Sequence, residues 1–302
     1  MKNHYYLLMI CFFLACSDDS EVSSHDPPVQ ADIDIYTLPI VVHIIHNGEE
    51  VGEGTNLSIE RIMKQVEILN EDFRKKKDTR GYNNHPDGDD AKIQFVLAKQ
   101  DPDGNPTNGI VRKQISTVPD HVPNSEYHSF AYLSYWDSDH YINIWTAPYP
   151  ESMVEILLGK STGPETDLPG IYILPEPDNI EGIIINWAVF GESDFDTIHN
   201  LGRTLTHEMG HYLGLMHTWG SGDCELNDYC EDTPAVDHVV WAASPYLGCQ
   251  DEEVQVANYM NYSPDDVMNM FTKDQIGRMR YVLENSPRRN SLLTSKGLDN
   301  PK

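Results

Sequence analysis

Residues 207–217 read His207-Glu208-Met209-Gly210-His211-Tyr212-Leu213-Gly214-Leu215-Met216-His217. His207 and His211 stand four apart, so on an α-helix their imidazoles share one face, one turn apart. Two neutral imidazoles so placed can hold one zinc ion, and Glu208 beside them is placed to act as a general base. Gly214 tolerates positive φ and can turn the chain out of the helix, which lets His217 swing back as a third ligand. Three protein ligands leave a fourth position for water, the arrangement of a catalytic rather than a structural zinc site. A helix that merely carries histidines would not need all five fixed positions of H-E-x-x-H-x-x-G-x-x-H.

Downstream, residues 218–257 are loop-rich and acidic. Of five cysteines, Cys11 and Cys16 lie near the N-terminus, which leaves Cys224, Cys230 and Cys249. In an oxidising compartment one pair bridges and one thiol is left over; Cys249 can pair with Cys224 or with Cys230, and the spacing does not choose. The stretch Asp228-Tyr229-Cys230-Glu231-Asp232-Thr233-Pro234 gathers carboxylates in a tight loop that could take calcium, without EF-hand spacing. Asn258-Tyr259-Met260-Asn261-Tyr262 follows. Thr272 and Gln275 form a capping box that opens a last helix, with Ile276, Met279, Val282 and Leu283 on its apolar face. Residues 291–302 read as a polar tail.

Upstream, Leu38–Ile45 is a β-branched run and reads as a strand, with His43 and His46 in structural roles. Ile59, Ile62, Met63, Val66, Leu69 and Phe73 follow helical spacing behind Ser58 as N-cap. Arg74–Lys77 reads as a solvated basic face at that helix's end. Further strands are expected at 93–98, from 109, at 141–145, at 170–174 and at 182–186. A strand, a helix, several strands and then the zinc helix describe an α+β domain, a mixed sheet packed on helices.

The chain has 302 residues, 39% of them hydrophobic, and a net charge of −27. That is enough apolar content for a core, while the acidity argues against nucleic acid or an anionic membrane surface as partner. Residues 1–15 read as a signal peptide, with the apolar run Tyr5–Ala15 too short to span a bilayer. Phe13-Leu14-Ala15-Cys16 resembles a bacterial lipoprotein signal. The resemblance implies cleavage before Cys16 and a lipid on its thiol, so that membrane association runs through this anchor alone. Residues 16–35 would then be a flexible tether, and localisation exported and membrane-anchored, or else secreted.

The zinc motif, Met260 and the order of elements together resemble the metzincin metalloproteases, and within them the pappalysin-type family. The likeness runs over roughly residues 36–285. It is carried by L-P-I-V-V-H-I-I-H-N-G at 38–48, L-N-E-D-F-R at 69–74, Y-I-N-I-W at 141–145 and G-R-T-L-T-H-E-M-G-H-Y-L-G-L-M-H-T-W-G at 202–220. D-T-P at 232–234 and N-Y-M-N-Y at 258–262 complete it. It implies a catalytic domain over 36–290. An upper subdomain, about 36–214, would hold a twisted mixed sheet and two long helices; an irregular lower one, about 215–290, would hold a final helix. It implies zinc on His207, His211 and His217, with Glu208 as base, Met260 as an apolar floor under the metal and Tyr262 as a helper near the oxyanion. It also raises Asp228, Asp232 and Thr233 as calcium ligands. Val267 departs from the family, standing where many members have a cysteine, and this leaves the bridging of the three downstream cysteines open. The expected activity is zinc-dependent endoproteolysis of extracellular peptides or proteins. The alternative is a surface binding or adhesion protein on the same scaffold, which would have no need of Glu208.

Overall fold

The computed structural model describes residues 34–115, 132–148, 158–171, 181–194, 198–225 and 227–301. The expected signal peptide, Cys16 and most of the tether lie outside these residues. β1, Tyr36–His46, is the strand on which the sheet is built. Every residue from Leu38 to Ile45 is buried, as a strand covered on both faces of a parallel sheet requires, and this is why its sequence is a continuous apolar run. β2 (Ile93–Leu97) pairs with the first half of one edge of β1 and β3 (Ile110–Gln114) with the second half, both parallel. β4 (Ile142–Ala147) runs parallel along the other edge. β5 (Gly159–Ser161) pairs antiparallel with β6 (Ile183–Asn186), which lies parallel to β4. The order is β2–β1–β4–β6–β5, with β3 beside β1.

Two helices cover one face. α1, Ile59–Phe73, starts at Ser58, whose hydroxyl accepts the Arg61 amide at 3.2 Å. Its Ile62, Val66, Leu69 and Phe73 meet Leu38, Ile40, Val42 and Ile44 of β1, and Leu205, Met209 and Tyr212 of α2 (Arg203–Tyr212) complete that core. On the opposite face, Val41 packs with Tyr141 and Ile45 with Trp145. His43 lies buried there, bonded to Ser134 Oγ at 2.8 Å and Asn143 Oδ1 at 2.9 Å, and stacked on Trp145. Burial lowers its pKa to about 4, so the ring is neutral at ordinary pH and serves the structural role expected of it.

The polar residues of α1 place α2. Gln65 donates to Gly202 O at 3.0 Å and accepts the Gly191 amide. Asp72, buried, takes Arg203 Nη2 at 3.1 Å and the Thr206 hydroxyl at 2.7 Å. The pair joins α1 to α2, and removing either partner would leave the other charge buried and uncompensated.

α3, Lys273–Asn285, begins with the expected capping box of Thr272 and Gln275. Two readings are modified and a third is not tested. Arg74 is bound to Asp90 at 2.9 Å rather than wholly solvated. The strand expected at 170–174 falls mostly outside the described residues. The polar tail folds back: Asn290–Thr294 and Lys296–Leu298 are 3-10 turns, Leu292 is in the main core, and Gly297 lies against Tyr141. Its few apolar residues were too sparse to show a period.

Candidate active site

α2 is buried nearly all round, and its first turn has no side-chain cap of its own. Gly202, at φ +79°, starts it, and Asp265 from the far side of the sequence accepts the Leu201 and Arg203 amides at 2.8 and 3.2 Å. A carboxylate at the positive end of the helix satisfies donors that would otherwise be orphaned. Gly214, at φ +90°, ends the helical turn, with the Leu215 amide returning to Gly210 O at 2.9 Å. The chain then reverses and brings His217 back over the helix.

The three imidazoles meet. His207 Nε2 and His211 Nε2 are 3.1 Å apart, His211 Nε2 and His217 Nε2 3.1 Å, and His207 Nε2 and His217 Nε2 3.2 Å. The other nitrogens of the helix pair are engaged: His207 Nδ1–H donates to Tyr259 O at 2.7 Å and His211 Nδ1–H to Leu215 O at 2.8 Å. These bonds set the tautomer and leave the Nε2 lone pairs facing one point. Burial, and then the neighbouring rings, hold His207 down to about 3, and the same causes lower His217. Protonation is thus disfavoured, and converging lone pairs repel one another unless a cation lies between them. The donor set fits a zinc ion, whose bonds to imidazole are about 2.0–2.1 Å long. Among the described residues, this triad is the cluster of His, Cys, Asp and Glu side chains that can converge on one ion.

Glu208 lies buried beside the triad, and burial pushes its carboxyl up to about 8 against the opposing pull of Lys160. A divalent cation in the triad would draw it back down. β5 passes so close that a Cβ on Gly159 would stand 2.7 Å from Glu208 Cγ and 3.0 Å from its Oε1. Only a residue without a side chain lets strand and carboxylate share this space.

Below the helix, Met260 is fully buried, and a Cβ on Gly210 would come within 2.5 Å of its Sδ. The Met260 amide is held by Asn258 Oδ1 at 2.9 Å, and Asn258 is bonded in turn to Gln275 of the α3 capping box at 3.0 Å. One turn therefore supplies both the apolar floor and, through Tyr259 O, the carbonyl that orients His207. Tyr262 packs its ring 5.6 Å from His207 and 4.9 Å from His217. Burial, and then Glu208, raise its phenol above the usual range.

The structure brings His207, His211 and His217 together, with Glu208, Met260 and Tyr262 around them. It also resolves the cysteines: Cys224 bridges Cys249, with Cα atoms 5.8 Å apart, and Cys230 is a buried free thiol. The calcium candidates are gathered only in part. Asp228 accepts the Thr233 hydroxyl at 2.5 Å and the Cys230 amide at 3.2 Å, whereas Asp232 turns to α3 and accepts the Asp274 amide at 2.9 Å. Sequence reading missed β5 with Gly159, the Asp265 cap and Trp219, which stacks on His217 at 4.3 Å. Thr218-Trp219-Gly220 behind the third histidine was the available signal for the last; a three-residue strand carries none.

Comparison with known proteins accords with this geometry. The peptidase M43 family model described as pregnancy-associated plasma protein-A matches residues 126–284. An extracellular metalloprotease of Neurospora crassa is 30% identical over 207 residues, covering 59% of this chain and 67% of that protein. Extracellular metalloprotease 1 of Coccidioides posadasii is 39% identical over 89 residues; that match covers 27% of this chain and only 30% of the relative's own length. Among solved structures, mirolysin in complex with compound 9 superposes with a TM-score of 0.74 at 29% identity, covering 89% of this chain and 100% of that one. Mature mirolysin of Tannerella forsythia in complex with a cleaved peptide gives 0.71 at 30% identity, covering 86% and 96%. With the triad, the Met260 turn and the mixed sheet in place, and a family model matching more than half of its length, the chain belongs to the peptidase M43, or pappalysin, family of metzincins.

Proposed function

We propose that this chain is an exported zinc-dependent endopeptidase that hydrolyses peptide bonds of extracellular proteins or peptides. The observation that carries the reading is the convergence of three Nε2 atoms within 3.2 Å of one another, with the Glu208 carboxyl beside them. His207, His211 and His217 would hold the ion. Bound there, zinc supplies Lewis acidity toward water and toward the scissile carbonyl. Glu208, as carboxylate, takes the proton of the attacking water and passes it to the leaving amine. The Tyr262 hydroxyl donates a hydrogen bond to the developing oxyanion. A cleaved peptide in a mirolysin complex supports a peptide as the ligand class, and the naming of fungal relatives as extracellular supports export.

β5 supplies the means of holding an extended substrate. Leu158 O accepts from Asn186 and the Thr162 amide donates to Gly182 O, so Leu158, Lys160 and Thr162 face β6. The N–H and C=O groups of Gly159 and Ser161 therefore point away from it. Among the described residues β6 is the one strand partner of β5, and a peptide can pair along the free edge as a further strand. Gly159→Ala is expected to lower kcat about tenfold to a hundredfold by displacing Glu208, with zinc content unchanged. A wild-type kcat in that variant would show that the strand does not set the position of the base.

The test of the main reading is cleavage of a peptide library by the zinc-loaded chain, with and without 1,10-phenanthroline. Cleavage that chelation abolishes and zinc restores is expected; chelator-resistant cleavage would sink it. A binding or adhesion role on the same scaffold would leave Glu208 without a task. The lipid anchor at Cys16 belongs to this reading too: labelled fatty acid should enter the wild type and not Cys16→Ala, and an unlabelled wild type would make the protein secreted instead. Calcium at Asp228, Asp232 and Thr233 is a separate part of the reading: the Thr233 hydroxyl and the Asp274 amide occupy one oxygen each of Asp228 and Asp232, and calorimetry with calcium alone tests it, an absence of binding discarding it.

A further inference from the structure

We infer that Trp241 is a substrate-binding residue of this site: its indole forms a shelf for a large apolar or aromatic side chain of the peptide, a few residues from the scissile bond. The inference deepens the endopeptidase reading and rests on it. Trp241 is 64% exposed, whereas Trp145 and Trp219 are buried. A lone exposed aromatic needs no explanation, but this one is continuous with the metal site. Its ring lies 4.8 Å from that of Tyr262, and the Tyr262 ring lies 4.9 Å from that of His217. Two ring contacts thus link a metal-facing imidazole to the surface. An extended peptide advances about 3.3 Å per residue, so the shelf is within reach of side chains close to the bond being cut.

The shelf is also held in place. Val240 beside it is fully buried, and its carbonyl accepts the Tyr262 amide at 2.9 Å. Val239 and Ala242 pack on the apolar cluster of Trp219, Val236, Val240, Val254 and Val256. The indole is thereby pre-positioned with one side against Tyr262 and the remainder in solvent, so little ordering remains to oppose binding. Tryptophans in such settings are frequent centres of binding energy. The ring face carries negative charge density and the chain a net charge of −27, which disfavours carboxylate side chains; the broad apolar area of the indole matches an apolar or aromatic group, and a cation over the same face is the competing occupant that the Arg peptides separate.

The test uses the full zinc-loaded chain and peptides in which each position within three residues of the cleaved bond is set in turn to Phe, Ala, Arg or Asp. Binding is measured in the Glu208→Gln background by calorimetry. At one position, Phe is expected to bind roughly fivefold more tightly than Ala. That ratio is expected to fall below about twofold in Glu208→Gln/Trp241→Ala and to survive in Trp241→Phe. In the active protein, Trp241→Ala should raise KM for the Phe peptide with kcat and Tm unchanged. An undiminished Phe-over-Ala ratio after Trp241→Ala overturns the inference, as does a preference for Arg that the same change removes. A wild type that cleaves nothing, together with a Trp241-dependent Phe preference in binding, would keep the shelf and discard the endopeptidase reading.

Discussion

Glu208→Gln is expected to lower kcat by about 10³-fold while zinc content and Tm stay at wild-type values. The amide has the shape of the carboxyl and so occupies the same space beside Gly159. What it lacks is a basic oxygen to receive a proton. Burial pushes the carboxyl up to about 8, and a cation held by the triad would favour its charged form and pull in the opposite direction. Single-turnover cleavage with zinc quantified in the same sample separates loss of the base from loss of the metal. Wild-type turnover in the amide variant would overturn the assignment of Glu208.

His211→Ala is expected to weaken zinc binding by more than about 100-fold, the upper range for losing even an outer partner of a ligand, and to abolish cleavage with it. The loss differs in kind from that in Glu208→Gln, because two of three nitrogens remain and the Leu215 carbonyl is left without its donor. Competition against a chromophoric chelator measures the affinity directly. Zinc affinity equal to wild type would show that the metal does not depend on this ring. The two variants together distinguish chemistry from binding: one keeps the ion and stops the reaction, the other loses both.

Much of this site was legible in the sequence because local geometry determines it. A four-residue spacing on a helix, a glycine at positive φ and a third histidine three residues later specify the triad without knowledge of the rest of the chain. β1 and α1 were legible for a similar reason, since burial on both faces and burial on one stripe leave different periods. The parts that escaped are set by distant segments. The Asp265 cap and the Asp72–Arg203 clamp join residues 62 and 131 positions apart. β5 is three residues long and shows no alternation. The cysteine pairing depended on which loop closes over which, and spacing alone left Cys224 and Cys230 equivalent as partners for Cys249.

The Met260 turn has a consequence for when the site comes into being. His207 is oriented by a carbonyl 52 residues further along the chain, and the floor beneath it arrives in the same turn. Loop closure over that span is an entropic cost met before any contact rewards it. A chain synthesised from its N-terminus thus presents all three histidines well before residue 259 follows. Until then His207 has no fixed tautomer and the helix no support beneath Gly210. Competence to hold a metal in this geometry is therefore a late event in the life of the polypeptide, reached only after residues 259–262 have folded against the helix that carries His207 and His211.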